Sequence, residues 1–385
     1  MAAEARLLTG GQAVAEAMRQ IDPDVVPVYP ITPQTPIIQG FAAFVAQGRA
    51  RGELVDVESE HSAMSAAIGS ALAGARTITA TSSQGLALMA EVVYIAAAMR
   101  APVVMAVGNR ALSGPINIHC DHSDSMLIRD SGVIQLFAEN AQEAYDLMLI
   151  APRLAEHPDV LLPVLVCQDG FTITHSAEPV ALLDDAAARA FVGEYRIPNP
   201  LLDLSRPTTQ GPFAMPDYYF ELRHQQGAAM HAALPVFERL AAEFAAPAGR
   251  RYHAVESYAL DGAEHVIVCL GSTAGTVKDT VDELREEGEP VGLLGLRSFR
   301  PLPRDDLRTA LAAVRTVSVL DRADSPGGAP PLFAELAAVL FGTGVDLRSF
   351  VYGLGGRDLH PEDIRVVFDG RAPAYVGLRG VPCPA

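Results

Sequence analysis

Polar stretches interrupt this apolar-rich sequence where short hydrophobic runs end, and five of them hold residue types suited to chemistry. In YPITPQTP, Thr32 stands between Pro30 and Pro33, whose rings fix the backbone and would aim its hydroxyl in one direction. Thr32 or Thr35 could instead cap the helix that follows. In Glu58-Ser59-Glu60-His61, Glu60 is either an acid–base or cofactor-binding carboxylate, or a first-turn acid answering a helix dipole behind an N-cap at Ser59. TSSQG, residues 81–85, could offer backbone N–H groups to an anion or simply start a helix. Arg110 directly follows an apolar run, a place where its guanidinium fork suits a carboxylate. His119, Cys120, Asp121, His122 and Asp124 then crowd together without a recognised metal-ligand spacing, so a polar active-site or interface loop is expected there. GSTAGT, residues 271–276, matches neither the Walker nor the dinucleotide glycine pattern and reads as a tight turn.

The elements that must position these residues are legible as alternating apolar runs and amphipathic stretches. VVPVY (25–29), ELVDVES (53–59), RTITATS (76–82), PVVMAVG (102–108) and VLLPVLVC (160–167) read as strands. Near-continuous apolar character suits a sheet covered on both faces, hence parallel strands with helical crossovers. Helices fit at 35–46, 61–73, 85–99 and 141–156, giving a doubly wound α/β domain over residues 1–180. Ligands of such sheets bind beyond the carboxyl ends of the strands, where the polar stretches fall. Residues 181–259 are expected to be a linker packed on its neighbours: the five prolines of 197–220 predict irregular backbone, and the Ala-rich 227–244 a helix. A second, smaller α/β unit spans 260–385. HVIVCLG, GEPVGLLGLRSFRPLP and VRTVSVLDR supply its strands; Val277, Val281 and Leu284 share one helix face, and Gly288 is its C′ residue.

Composition bounds the function further. The 385 residues are 49% hydrophobic and 19% charged, and 29 basic against 46 acidic residues give a net charge of −17. That charge repels nucleic acid and anionic membranes. Met89–Gly108, the most hydrophobic stretch, contains Glu91, Arg100 and Pro102 and is not a membrane span. The N-terminal residues lack the apolar core of a signal peptide. Cys120, Cys167, Cys269 and Cys383 are far apart, with no C-x-x-C pair. Neither a disulfide framework nor a cysteine-held zinc or iron–sulfur site is expected on this chain, and a cytoplasmic setting is.

Taken together, YPITPQTP, VESEHSA, TSSQGL and NRALSGPINIHCDHSDSM followed by RDSG resemble the alpha subunits of thiamine-diphosphate-dependent 2-oxoacid:ferredoxin oxidoreductases, the pyruvate type above all. The resemblance is strong from about residue 8 to 180. It is weakest over about 185–255 and returns in GLLGLRSFRPLP and VLDRADSPGG. It implies a thiamine-diphosphate pyrimidine-binding domain followed by a transketolase C-terminal-like domain. By position in the motifs, it makes Glu60 the carboxylate that activates the cofactor through N1′ of its pyrimidine. Thr32 and Arg110 become the substrate-carboxylate binders, and Ser83, Gln84 and Gly85 further cofactor contacts. Glu58 is structural, and Gly114 departs from the family's usual alanine.

The Gly-Asp-Gly motif of a diphosphate–Mg²⁺ site is missing from the chain. The resemblance therefore implies a split site: Mg²⁺ and the diphosphate on a beta subunit, and iron–sulfur (4Fe-4S) clusters on partner chains that include gamma and delta subunits. Coenzyme A is the expected co-substrate and ferredoxin the expected acceptor in the oxidation of pyruvate to acetyl-CoA and CO2. Two alternatives stay open on sequence alone. One is the beta subunit of a lipoamide-linked 2-oxoacid dehydrogenase, and the other a non-catalytic scaffold paralogue.

Overall fold

The computed structural model describes residues 5–380, which leaves Cys383 outside the described part. The first half runs β1 (Ala5–Thr9), α1 (Gly10–Ile21), β2 (Val25–Val28), α2 (Thr35–Ala46), β3 (Glu53–Asp56), α3 (Glu60–Ala73), β4 (Ile78–Thr81) and α4 (Ser83–Ala98). It continues through β5 (Val104–Asn109), α5 (Ser123–Leu127), β6 (Ile134–Phe137), α6 (Ala141–Ala155), β7 (Val164–Asp169), β8 (Ala177–Ala181) and α7 (Asp185–Val192). The long α8 (Pro216–Ala248) leads to β9 (Val255–Tyr258), β10 (His265–Leu270), α9 (Thr273–Glu286), β11 (Val291–Leu296) and β12 (Ser298–Arg300). α10 (Arg304–Ala310), β13 (Thr316–Asp321), α11 (Pro331–Val339), β14 (Asp346–Val351) and α12 (Pro361–Phe368) complete it.

The first sheet has the order β12-β6-β7-β5-β4, all parallel except β12. A parallel bridge from Val25 to Thr77, and the Thr79 hydroxyl donating to the Pro27 carbonyl at 2.8 Å, set the parallel pair β2–β3 beside β4. From β2 the chain crosses outward to β3, and from β4 it crosses the other way to β5. The topological switch point therefore lies between β2 and β4, the place beyond the strand ends where sheets of this kind form a ligand crevice. The second sheet, β14-β13-β10-β11-β9, is parallel apart from its edge strand β9. The doubly wound α/β domain and the second α/β unit expected from the sequence are both present.

Local sequence explains most helix starts. Ser59 caps α3 by accepting from the Ser62 N–H at 3.2 Å, and Gly74 closes that helix at φ 109°. Gly288 follows α9 at φ 92° as expected. Neither Thr32 nor Thr35 caps α2. The residue ahead of that helix is Gln34, whose amide turns back to the Tyr29 carbonyl at 3.1 Å.

Three expectations differ from the structure. Helix α8 begins at Pro216, so residues 216–220 are helical where irregular backbone was expected; proline at a first helical position costs no hydrogen bond. GEPVGLLGLRSFRPLP makes two strands: β11 stays in the second sheet, while β12 pairs antiparallel with β6 of the first. Helix α1, absent from the sequence reading, is almost wholly buried.

The halves are welded together. One buried apolar cluster includes Phe137, Cys167 and Phe299 of the first sheet and Val266, Leu294 and Leu296 of the second. Arg297 bridges Glu143 and Glu256, and Lys278 bridges Glu139 and Glu256 at 2.8 and 2.9 Å. Among the described residues no helix is long and apolar enough to cross a membrane. Cys120, Cys167 and Cys269 are buried free thiols.

Candidate active site

The first side of the crevice is built from the start of α3 and the end of β4. Glu60, the first residue of α3, is 7% exposed, and its carboxylate accepts no hydrogen bond from a described residue. It rests on Gly85 in the first turn of α4. A Cβ there would meet Glu60 Oε1 at 2.7 Å and Cγ at 2.8 Å, and would collide with Thr81 Oγ1. Beside this bare backbone the hydroxyls of Thr81 and Ser82 are buried without partners. A carboxylate without a protein partner, beside two unpartnered hydroxyls, is a donor and acceptor set that suits a hydrogen-bonding heterocycle. The residues thus fit the aminopyrimidine end of thiamine diphosphate.

The turn from β4 to α4 is held in a conformation that side-chain-bearing residues seldom adopt. Ser83 has φ 48°. Its N–H donates to Asp124 Oδ2 at 2.9 Å, and its hydroxyl lies 2.6 Å from both Gln84 Oε1 and the Ala111 carbonyl. Ser83 is thus committed within the protein and Gln84 is half-buried against it.

Asp124 is the hub of this region. Its two oxygens accept from the backbone N–H groups of Ser83, Arg110 and Ser125 and from Asn109 Nδ2 at 2.7–3.0 Å. Complete burial pushes its carboxyl up to about 6, against those hydrogen bonds, which favour the charged form.

The opposite wall is the loop after β2. Pro33 and Ser82 both approach Gly108 of β5, where a Cβ would meet each at 3.3 Å. Arg110, 8% exposed, donates from Nη1 to the Thr32 carbonyl at 3.0 Å and from Nε to the Asn117 carbonyl at 2.9 Å. Its Nη2 has no partner among the described residues, and the neighbouring Thr32 is exposed. Thr32 and Arg110, far apart in sequence, are therefore side by side at the mouth of the crevice.

The polar run after Arg110 does not stay together. Asp124 turns to the β4–α4 turn, as above. Asp121 binds the N–H of Gly355 in the second unit at 3.1 Å, and the His119 ring packs on Phe171 with centroids 5.1 Å apart. His122 Nε2 meets Asp169 Oδ1 at 2.7 Å. Cys120, His122 and Asp169 offer ligand atoms within 4.8 Å of one another, yet the Arg322 guanidinium occupies Asp169 Oδ2 at 2.8 Å.

Asp169 also accepts from the Ser272 N–H and hydroxyl, at 3.1 and 2.6 Å. The GSTAGT turn is thereby part of a clamp between the units, and Gly271 lets it come close: a Cβ there would sit 2.9 Å from Asp169 Oδ1. Burial alone would raise the Asp169 carboxyl, but His122, Arg322 and the hydrogen bonds from His122 and Ser272 outweigh it and hold the group well below the usual carboxylate range. The sequence reading missed Asp169 and Arg322. Their one signal was a polar residue closing an apolar strand, in VCQD and in VLDR.

The sequence matches two family models, "Pyruvate flavodoxin/ferredoxin oxidoreductase, thiamine diP-bdg" over residues 16–241 and "Pyruvate:ferredoxin oxidoreductase core domain II" over 263–364. It is 56% identical over 382 residues to the pyruvate synthase subunit PorA of Thermotoga maritima, covering 97% of each chain. To the subunit of the same name from Methanocaldococcus jannaschii it is 47% identical, covering 95% of this chain and 94% of that one. The ketoisovalerate oxidoreductase subunit VorA of Pyrococcus horikoshii is 39% identical, with 94% and 92% covered. Among solved structures, a 2-oxoglutarate:ferredoxin oxidoreductase from Magnetococcus marinus with 2-oxoglutarate, coenzyme A and succinyl-CoA bound superposes with a TM-score of 0.75 at 20% identity. That match covers 96% of this chain but only 65% of the other, and it speaks for the fold.

Proposed function

The chain belongs to the pyruvate flavodoxin/ferredoxin oxidoreductase family, and on that premise we propose that it is the alpha subunit of a coenzyme A-dependent pyruvate:ferredoxin oxidoreductase. It binds the pyrimidine half of thiamine diphosphate and the carboxylate of pyruvate. The observation that carries this reading is the unpartnered Glu60 carboxylate lying against Gly85. The choice of pyruvate rests on relatives named for that substrate at 44–56% identity, above the 39% of the ketoisovalerate relative. The same matches favour ferredoxin-linked chemistry over a lipoamide-linked dehydrogenase and over a silent scaffold.

The chemistry that bound thiamine diphosphate supplies is an electron sink for decarboxylation of a 2-oxoacid. The Glu60 carboxylate would hold N1′ of the pyrimidine by a hydrogen bond, in a buried position where little water competes for it. Gly85 leaves room for the Glu60 carboxylate to lie against the α4 backbone, while Ser83 and Gln84 fix the turn that carries it. Arg110 and the Thr32 hydroxyl take the substrate carboxylate, the guanidinium being pre-set by two backbone carbonyls so that Nη2 remains for the ligand. The diphosphate, Mg²⁺ and the iron–sulfur clusters belong to a beta subunit and to gamma- and delta-type partners, with ferredoxin as electron acceptor.

The test is anaerobic viologen reduction by this chain purified with its partner subunits, supplied with thiamine diphosphate, Mg²⁺ and coenzyme A. Pyruvate is compared with 2-oxoglutarate, 3-methyl-2-oxobutanoate and oxalate. Reduction dependent on pyruvate and coenzyme A is expected. Preference for another acid overturns the substrate assignment, and an inert, cluster-loaded complex overturns the reaction class.

A further inference from the structure

Between Arg110 and the second α/β unit lies a short relay with Asn117 at its centre. The Asn117 carbonyl accepts from Arg110 Nε at 2.9 Å. Its side chain does two further things. Oδ1 accepts from the His119 N–H at 2.6 Å, closing a turn within its own loop. Nδ2 donates to the Gly355 carbonyl at 2.9 Å, across the junction with the second unit.

The receiving turn is shaped for this contact. Gly353, Gly355 and Gly356 have φ of 63°, 60° and 79°, the left-handed region that glycine enters without cost. A Cβ on Gly355 would collide with Asn117 Nδ2, and one on Gly356 with His119 Cβ. The Gly355 N–H also returns a bond to Asp121 Oδ2, so the turn grips the loop at two points. Elsewhere that loop is free: Ile116 is 80% exposed and Ser113, Gly114 and Pro115 are exposed.

We infer that Asn117 is a positioning residue for the substrate-binding arginine. Its Nδ2 bond to Gly355 fixes the direction of the Arg110 guanidinium, so the glycine turn of the second unit helps determine affinity for the 2-oxoacid carboxylate. This rests on the assignment of Arg110 above. A guanidinium held on Nε and Nη1 offers its remaining edge in one orientation. Once its Nε acceptor drifts, the charge stays but the orientation is lost.

Asn117→Asp separates the two side-chain functions. It keeps the acceptor for His119 N–H, removes the donor to Gly355 and sets an oxygen against that carbonyl. Asn117→Ser keeps a short acceptor and cannot reach Gly355. In the assembled enzyme, either variant should raise the KM for pyruvate about tenfold. Turnover should change by less than about twofold and the KM for coenzyme A should not move, because uniform binding of one substrate is what is lost. On an Arg110→Lys background, Asn117→Asp should add nothing further, since both act through one guanidinium. An unchanged KM for pyruvate in both variants, or effects that multiply with Arg110→Lys, would overturn the role of Asn117. Failure of the parent complex to use any 2-oxoacid would instead overturn the functional reading beneath it.

Discussion

The carboxylate of Glu60 lies directly on the bare Cα of Gly85, so close that a single methyl group there would come within 2.7 Å of Glu60 Oε1. Gly85 occupies the first turn of α4, where alanine would favour the helix by about 1 kcal/mol. Gly85→Ala should therefore separate folding from function. The chain should still assemble, since the helix gain offsets part of the about 1–3 kcal/mol cost of crowding Thr81, while turnover falls roughly a hundredfold because the displaced carboxylate no longer meets its target. Steady-state viologen reduction alongside thermal melting would decide it. Retained turnover would mean that the carboxylate has room to spare.

Glu60→Gln alters charge at nearly constant shape. With no described hydrogen-bond partner to lose, the amide should be accommodated and assembly preserved. Turnover should drop by about 10²–10⁴-fold, the range ascribed to positioned acid–base groups. Normal turnover in an intact complex would remove Glu60 from the chemistry.

For Arg110, the informative replacement is lysine. An ammonium carries its three donors on one atom, so it cannot span the Thr32 and Asn117 carbonyls as Nη1 and Nε do and also present a planar edge to the substrate. The KM for the 2-oxoacid should rise by about tenfold or more, with a smaller change in turnover. Kinetics across pyruvate concentrations would test this, and an unchanged KM would reject the role.

Asp124 gives folding a pH dependence of definite sign. Its carboxyl moves from 3.8 in an unfolded chain to about 6 in the buried site. Below pH 4 both states hold the proton. Between 4 and 6 only the folded state holds it, so this residue's contribution to stability falls as pH rises, and above 6 it stays at the lower level. The stability of the parent relative to Asp124→Asn should therefore decline by a few kcal/mol between pH 4 and 6, as order of magnitude, and then level off. Urea denaturation of both proteins from pH 4 to 7 would show the trend, and a pH-independent difference would contradict it.

The clamp on Asp169 is a stability prediction of another kind. Arg322→Met removes its guanidinium partner and leaves a fully buried carboxylate relying on His122 and Ser272. Breaking a buried pair in this way costs about 3–5 kcal/mol. A denaturation midpoint indistinguishable from that of the parent would mean that the second unit is held in place chiefly by apolar contact and β12.

What the sequence disclosed, and what it withheld, follows from range. Strands such as Val104–Asn109 are buried on both faces and announce themselves as apolar runs, and helix Thr35–Ala46 has the bounds its periodicity implied. Thr32, Glu60 and Arg110 were recognisable because each follows a strand end where such sheets bind ligands, and because their motifs resemble a known family.

Helix α1 was hidden by its own polar residues. Glu16, Arg19 and Gln20 are buried, and only partners far along the chain make this tolerable: Arg19 pairs with Asp185 at 2.8 Å and Gln20 donates to the Leu183 carbonyl at 2.8 Å. The Asp169 clamp was hidden for the same reason, its partners lying 47 and 153 residues away. Nor did the run His119–Asp124 disclose that its members face three different neighbourhoods.

Strand β12 carries one further consequence. Three residues from the second half of the chain complete the edge of the sheet whose strand β5 leads into Arg110. As the polypeptide is synthesised, that sheet stays open along β6 until residue 300 has emerged, long after its other strands are made. The two halves are consequently poor candidates for separate expression. A fragment stopped before residue 298 would present a bare, apolar strand margin to every other copy of itself, an invitation to aggregate that the intact chain withdraws only at the end.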